Sequence, residues 1–321
     1  MTGAQGFIGS WVTEGLLDRG AEIVSLVRDE PARSRFGLEG MDRRCTLVRS
    51  NLLDMPELLR ILNEYTVEAV FHLAAQTIVG TAKRSPLSTF ETNVRGTYNL
   101  LEACRLAGSV ERVVVASSDK AYGSHEKLPY SESAPLIPSY PYDVSKACAD
   151  LIGRSYHSTY GLPVAVTRLA NVYGGGDFNF SRIVPDTVRA LLEDRRPVIR
   201  SDATPRRDFI YAEDAAAAYI AIGEALDRGD VKGMAFNAGA GRPYSVMEIV
   251  RKLIGISGKE IEPDIRGTGA PEGEIASQYL DSTLLNRTLG WEPTWSLDDG
   301  LEATYEWYGR HLDRLPAMRP A

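Results

Sequence analysis

An α/β fold, a doubly wound parallel sheet joined to a smaller α/β lobe, is predicted by three features of the chain. Short apolar, β-rich runs alternate with longer helical patterns. Three glycines at the start have the spacing of a phosphate-gripping turn, and the alternation stops near residue 172.

The apolar runs are AEIVSLV, CTLVRS, EAVFHLAA, ERVVVASS and LPVAVTRLA. Strands without polar alternation belong in a parallel sheet covered by helices on both faces. Helices are predicted between them over residues 6–19, 55–65, 86–107 and 142–160. Ahead of all of these, MTGAQGFIGS sets Gly3, Gly6 and Gly9 on a GxxGxxG spacing, with Phe7 and Ile8 opening a helix. Such a turn points backbone N–H groups at a pyrophosphate, which is the signature of the Rossmann dinucleotide fold. A strand normally delivers that turn, yet only two residues precede Gly3. The first strand is therefore expected to be missing or truncated, with Met1 inside it and the native chain beginning upstream. Its place would be mid-sheet, where its loss leaves two ladders unpaired.

Asp29 stands 20 residues beyond Gly9, about where a carboxylate binds the ribose 2′-hydroxyl of NAD, whereas Arg28 beside it suits the 2′-phosphate of NADP. NAD is the expected cofactor, with NADP left open. After residue 172, GGGDFNFSRIVPD, RRPVIRSDATPRRDF and GTGAPEGEI are rich in Gly, Pro and charge, predicting a smaller, irregular lobe that closes over the first. MAFNAGAG reads as one more strand, reached by a helix over 213–227. Near the end, SLDDGLEATYEWYGRHL has a Ser cap with Asp three residues later, followed by a helical pattern.

The bulk composition excludes several functions. The chain has 321 residues, 44% apolar and 25% charged, with a net charge of −7. That balance argues against a nucleic-acid surface, which needs clustered cations. Cys45, Cys104 and Cys148 are odd in number and widely spaced, so neither a disulfide framework nor a CxxC site is indicated. His72, His125, His157 and His311 lack ligand spacing, so no metal site is expected, and His72, inside a strand-like run, reads as structural. No apolar run approaches the roughly 20 residues of a membrane span, and the start lacks the layout of a signal peptide. A cytoplasmic protein without membrane contact is expected.

Chemistry concentrates in two stretches. In YDVSK, Tyr142 and Lys146 lie four apart, so on a helix the ammonium can approach the phenol and favour phenolate, making Tyr142 a base. Chance alone produces such a pair in about one chain in three of this composition. An exposed tyrosine and a solvated lysine would be the reading if nothing agreed. SSDKAYG does agree: Ser118, Asp119 and Lys120 follow the strand ERVVVASS, and ligands of open parallel sheets sit at the carboxyl ends of strands.

Taken in order, TGAQGFIGS, FHLAA, TNVRGT, SSDKAYG, YDVSK, RLANVYGGG and RRDFIYAED resemble the extended short-chain dehydrogenase/reductase family of NAD-dependent epimerases and dehydratases, over nearly the whole chain. Within it, SSDKAYG, NVYGGGDF, RIVPD and APEGE…YLD look like the CDP-glucose 4,6-dehydratases. The resemblance implies oxidation of a nucleotide sugar at carbon 4, loss of water across carbons 5 and 6, and hydride return to carbon 6. It makes Tyr142 the base at the 4-hydroxyl, Ser118 its hydrogen-bonding partner, Lys146 a ribose ligand, Asp119 the acid and Lys120 the base at carbon 5. A 4-epimerase needs neither Asp119 nor Lys120, and stays open as the alternative; a non-catalytic dinucleotide-binding protein is the third reading. Asn51 and Leu52 would flank the adenine, Leu73, Ala74 and Ala75 would line the cofactor, and Asn93 would support the site. Gln76, Asn171, Arg182 and Arg207 would bind the nucleoside diphosphate sugar. Ala270 stands where many relatives carry an arginine. The resemblance further implies a dinucleotide-binding domain of residues 1–172 and 208–240, a sugar-nucleotide lobe of 173–207 and 241–321, and a homodimer formed through the helices at 86–107 and 142–160.

Overall fold

The structure is a computed structural model that describes residues 1–29, 34–268 and 276–314. Ala270, singled out above, lies outside them.

The first half runs α1 (Phe7–Asp18), β1 (Val24–Val27), α2 (Arg35–Leu38), β2 (Thr46–Arg49), α3 (Met55–Glu64), β3 (Ala69–His72), α4 (Val79–Arg84), α5 (Pro86–Phe90), α6 (Gly96–Ala107), β4 (Arg112–Ala116), α7 (Pro141–Tyr160) and β5 (Val164–Leu169). A π-helical turn, Glu91–Arg95, joins α5 to α6, and a 3₁₀ turn, Asp119–Tyr122, follows β4. The second half runs β6 (Asn171–Tyr173), α8 (Ile183–Leu192), β7 (Val198–Ile199), β8 (Arg206–Tyr211), α9 (Ala212–Glu224), β9 (Ala235–Ala238), β10 (Pro243–Ser245), α10 (Val246–Ser257), β11 (Asp264–Ile265), β12 (Ser277–Gln278), α11 (Thr283–Leu289) and α12 (Leu297–Arg310).

Strands β3, β4, β5 and β9 pair in that order, all parallel, and β1 pairs with β2 in the same sense. Alternate residues of one strand face opposite layers, and both layers here are apolar. Val114 and Ala116 of β4 join Phe71, Val12 of α1 and Tyr219 and Ile222 of α9. Val113 and Val115 point the other way, to Leu58 and Leu62 of α3 and Leu100 and Leu101 of α6. The gap between β1 and β3 is spanned by Met1 and Thr2. Thr2 bridges both Leu26 and His72, its N–H donates to the Phe71 carbonyl at 3.0 Å, and the Leu26 N–H donates to the Met1 carbonyl at 2.9 Å. Met1 and Thr2 thus occupy the slot that the glycine spacing assigns to a first strand, and the ladders of β1 and β3, expected to be unpaired there, are bridged through Thr2.

Helix boundaries follow local chemistry. Pro141 opens α7 where no N–H partner is needed, and Gly161 ends it with φ of 72°. Asp54 caps α3 by accepting from the Glu57 N–H, and Ser296 caps α12 by accepting from the Asp299 N–H, as its position in the sequence predicted. The predicted helix at 86–107 is interrupted by the π-helical turn.

Beyond residue 172 the chain is more regular than expected. β8 pairs with β6, β10 and β12, and α8, α10 and α12 pack on this small sheet around Tyr173, Phe209, Tyr211, Trp307 and Tyr308. The strand at RRDFIY was hidden because Arg207 and Asp208, both buried, replace the apolar residues by which strands are recognised.

A buried ionic network ties these parts together. Arg168 of β5, 1% exposed, donates to both oxygens of Asp150 on α7 at 2.7 and 3.0 Å and to the Tyr122 hydroxyl at 2.8 Å. Tyr122 donates to Asn237 of β9 at 2.7 Å. Replacing Asp150 by Ala leaves the guanidinium buried and uncompensated, so a loss of about 3–5 kcal/mol in unfolding free energy is expected by denaturant titration.

Candidate active site

The glycine turn is built by contact. A Cβ on Gly9 would fall 1.9 Å from the Gly3 carbonyl oxygen, and Gly3, with φ of 75°, lies so near the loop after β3 that a Cβ would sit 2.6 Å from the Ala74 nitrogen. Only glycine allows helix, turn and loop to meet this closely. Gly6 is exposed as the N-cap of α1, leaving the helix start open to an anion. Phe7 and Ile8 pack partly buried against the core. Leu73 and Ala74 are held by Thr2, whose carbonyl accepts from the Leu73 N–H at 3.1 Å and whose hydroxyl accepts from the Ala74 N–H at 3.2 Å; Ala75 continues this partly buried loop. Around the rim, Arg28 and Asp29 are exposed and paired with each other at 2.5 Å, Asn51 is exposed and accepts from the Leu53 N–H at 3.0 Å, and Leu52 is buried beneath Gly96.

Asn93 lies in the π-helical turn, a distortion that recurs at functional sites. It accepts from the Gln76 N–H at 2.7 Å and donates to the Gln76 carbonyl at 3.0 Å and to Ser145 Oγ at 2.9 Å. Asn93 therefore staples the loop after β3 to α7. The Gln76 amide itself is engaged locally, with Ile78 and Thr89.

His72 is structural. Thr97 Oγ1 donates to the Asn93 carbonyl at 2.6 Å, so it accepts from His72 Nε2 at 3.0 Å, and His72 Nδ1 accepts from Thr2 Oγ1 at 2.8 Å. Burial and the nearby Lys146 charge hold this imidazole neutral, its pKa brought down to about 3.

Tyr142 and Lys146 lie on α7 as the spacing predicted, but the lysine does not act on the phenol as expected. Lys146 Nζ donates to the Ala116 carbonyl at 2.9 Å, and burial lowers its pKa to about 8. Burial pushes Tyr142 up to about 12; the charge of Arg182 and a hydrogen bond with Ser118 pull in the opposite direction. A buried strand-end carbonyl lies within the lysine's reach, and it takes the ammonium.

Ser118 caps the 3₁₀ turn, accepting from the Lys120 N–H at 3.3 Å and donating to Asp119 Oδ1 at 3.0 Å. Asp119 is 3% exposed, and its Oδ2 is buried with no hydrogen-bond partner. Burial raises its pKa, against the charges of Lys120 and Arg207. Arg207 is buried and donates to the Arg206 carbonyl; Arg182, partly exposed, pairs with Asp177 at 3.0 Å; Asn171 at the start of β6 donates to the Asp208 carbonyl at 3.4 Å. Asp208 is locked by the N–H groups of Ala240, Gly241 and Leu280.

Sequence reasoning missed Asp143, buried next to Tyr142, whose pKa burial raises to about 6, and Ser145, which links Asn93 to the Tyr142 carbonyl. Asp143 stood inside the quoted YDVSK, and a carboxylate beside a candidate base was the available signal.

Set against known proteins, residues 1–304 match the family described as GDP-mannose 4,6 dehydratase. The chain belongs to this family of nucleotide-sugar enzymes. Over 322 residues it is 29% identical to the CDP-glucose 4,6-dehydratase of Salmonella typhimurium, covering 96% of this chain and 89% of that one. Its fold superposes on the Thermotoga maritima UDP-glucose 4-epimerase with UDP-glucose at a TM-score of 0.89, with 30% identity over 97% and 98% of the two chains. The dTDP-glucose 4,6-dehydratase DesIV of Streptomyces venezuelae, solved with NAD, gives 0.87 at 32% identity over 98% and 97%. Relatives of this chain include both dehydratases and epimerases, and the chain is an enzyme of this nucleotide-sugar family.

Removing the staple tests the architecture: Asn93→Ala leaves the Gln76 N–H and carbonyl without partners and should lower the unfolding free energy by about 1–3 kcal/mol, read by thermal or denaturant unfolding.

Proposed function

We propose that this protein is an NAD-dependent nucleotide-sugar 4,6-dehydratase acting on a nucleoside diphosphate hexose of the CDP-glucose kind. One observation carries the reading: Asp119 sits nearly sealed beside Ser118, with one carboxyl oxygen unpartnered and its pKa raised by burial. Dehydration needs a carboxylic acid able to protonate a leaving hydroxyl, and a 4-epimerase does not.

The glycine turn, whose crowding leaves no room for side chains while the start of α1 stays open, fits a dinucleotide pyrophosphate. The chemistry NAD supplies when bound is reversible hydride acceptance. In this assignment Asp29 holds the adenosine ribose, Asn51 and Leu52 flank the adenine, and Leu73 to Ala75 line the cofactor. Lys146 orients ribose hydroxyls, and Asn93 holds loop and helix in register. Tyr142 in its ionised form, which the charge of Arg182 favours against burial, removes the proton of the sugar 4-hydroxyl, helped by Ser118 on the same oxygen, and Asp119 protonates the departing 6-hydroxyl. Lys120, next in the chain, is the sequence's choice of base at carbon 5. Arg182 and Arg207 neutralise the diphosphate, with Asn171 and Gln76 beside the sugar.

A 4-epimerase using the same tyrosine is the second reading, supported by the superposition on the Thermotoga enzyme. Product mass after incubation with NAD and CDP-glucose, UDP-glucose or dTDP-glucose separates them. Loss of one water from any of the three supports the dehydratase, whereas an isomer of unchanged mass supports the epimerase. In either case Tyr142→Phe should slow turnover by about 100-fold or more.

We further read the exposed Leu87, Tyr98, Leu106, Leu151 and Tyr160, spread over the adjoining α5, α6 and α7, as a face on which two copies pair. Light scattering should give twice the chain mass, and Leu151→Glu should shift it toward one chain.

A further inference from the structure

Residues 174–177 leave β6 and lead toward Arg182, the N-cap of α8. Parts of the chain that are far apart in sequence close on this loop. A Cβ on Gly175 would fall 2.4 Å from the Trp307 ring of α12, and one on Gly176, whose φ is 89°, would fall 2.6 Å from Arg35 Cβ on α2. Only glycine lets an indole and an arginine stem come so near the backbone. The Gly175 carbonyl accepts from Trp11 Nε1 of α1 at 3.0 Å. Arg35 is buried with its guanidinium 3.8 Å over the Trp11 ring, and it pairs with Glu14 at 2.5 Å and with Glu39 at 2.7 Å. Glu39 in turn accepts from Trp307 Nε1 at 2.7 Å. Contacts from α1, α2 and α12 thus form a closed ring that includes Gly175.

The loop ends on Asp177, which is 3% exposed. Its carbonyl accepts from the Tyr308 hydroxyl, its Oδ1 accepts from the Asn179 N–H at 3.0 Å, and its Oδ2 accepts from Arg182 Nη1 at 3.0 Å. The last of these pairs is lopsided. The Asp177 side chain is 4% exposed, whereas that of Arg182 is 39% exposed, and Asp177 is the one ion-pair partner that Arg182 has among the described residues. A carboxylate fixed on a clamped loop holds one nitrogen of the guanidinium, and the rest of the fork stays open to an anion.

Resting on the diphosphate role given to Arg182 above, we propose that Asp177 is a positioning residue for Arg182. It presets the guanidinium for the diphosphate of the sugar nucleotide, and Trp11, Arg35 and Trp307 hold the loop that carries it. An arginine free on the surface gives up rotamer freedom when it grips a phosphate, whereas one already held gives up less. The hold reaches back to α1, whose start is the candidate pyrophosphate site, so the helix that faces the cofactor also supports the arginine that faces the substrate. The charge of Arg182 is also the largest that acts on the Tyr142 phenol, which gives its placement a second use.

The test is calorimetric titration of the full chain, in the presence of NAD, with CDP, UDP and dTDP; the tightest binder of the three is the probe for the variants. Arg182→Ala should weaken the probe by about 10-fold or more, and Asp177→Asn by about 5-fold or more. Asp177→Glu, which keeps a carboxylate, should recover most of the affinity. The double variant Asp177→Asn with Arg182→Ala should bind no more weakly than Arg182→Ala alone, because Asp177 acts through Arg182. Trp11→Phe keeps the ring, removes only the N–H given to Gly175, leaves the buried carboxylate alone, and should weaken the probe by about 2-fold or more. NAD affinity, titrated separately, should stay within about 2-fold of wild type in Asp177→Asn, which a general loss of structure would not allow. Unchanged or tighter probe binding in Asp177→Asn, losses that add in the double variant, or an equal loss of NAD affinity would overturn the proposal. Unchanged binding in Arg182→Ala, or no binding of any of the three by wild type, would overturn the diphosphate role of Arg182, and the proposal with it.

Discussion

Arg168 holds the active-site region together. A guanidinium buried to 1% exposure is tolerable only when its donors are met, and here Asp150, Tyr122 and the Glu132 carbonyl meet them. Through these bonds β5 anchors α7 from one side and the 3₁₀ turn from the other. Tyr122 then passes the constraint to Asn237 on β9, which also donates to the Tyr130 carbonyl. Tyr142 and Asp143 on the helix, and Ser118 to Lys120 on the turn, are thus carried by two elements with a common buried support. Bonds of this kind fix orientation more than they add stability.

A second constraint acts on the cofactor side. Thr2, His72, Thr97 and Asn93 form a chain of hydrogen bonds running from the sheet centre to the π-helical turn. From Asn93 it continues through Ser145 to the Tyr142 carbonyl. Every ring nitrogen and hydroxyl in it has one geometrically consistent role, with His72 neutral. The glycine turn and α7 therefore share one rigid connection, although they stand more than a hundred residues apart.

The charges of the site are poised by burial more than by pairing. Tyr142, Asp119 and Asp143 are all driven toward their protonated forms by the loss of water, and Lys146 toward its neutral one. Burial thus draws groups of unlike type toward their uncharged forms in the same region.

Much of the fold was legible in the residues. Runs such as VVVA and VAV, apolar on both faces, read as strands of a covered parallel sheet, and the glycine spacing named its phosphate end. The second lobe was less legible, because buried polar residues such as Arg207 and Asp208 interrupt the pattern that marks β8, and its aromatic core assembles from residues as distant as Tyr173 and Trp307. The same division holds in the site. By itself the sequence determined that Tyr142 and Lys146 share a helix face and that Ser118 to Lys120 end a central strand, since both follow from local period and chain order. Only the tertiary structure decided that Lys146 turns to the Ala116 carbonyl and that Asp143 is buried beside Tyr142. The period of a helix sets the angle of each side chain about its axis, but what stands opposite that angle depends on packing between distant segments.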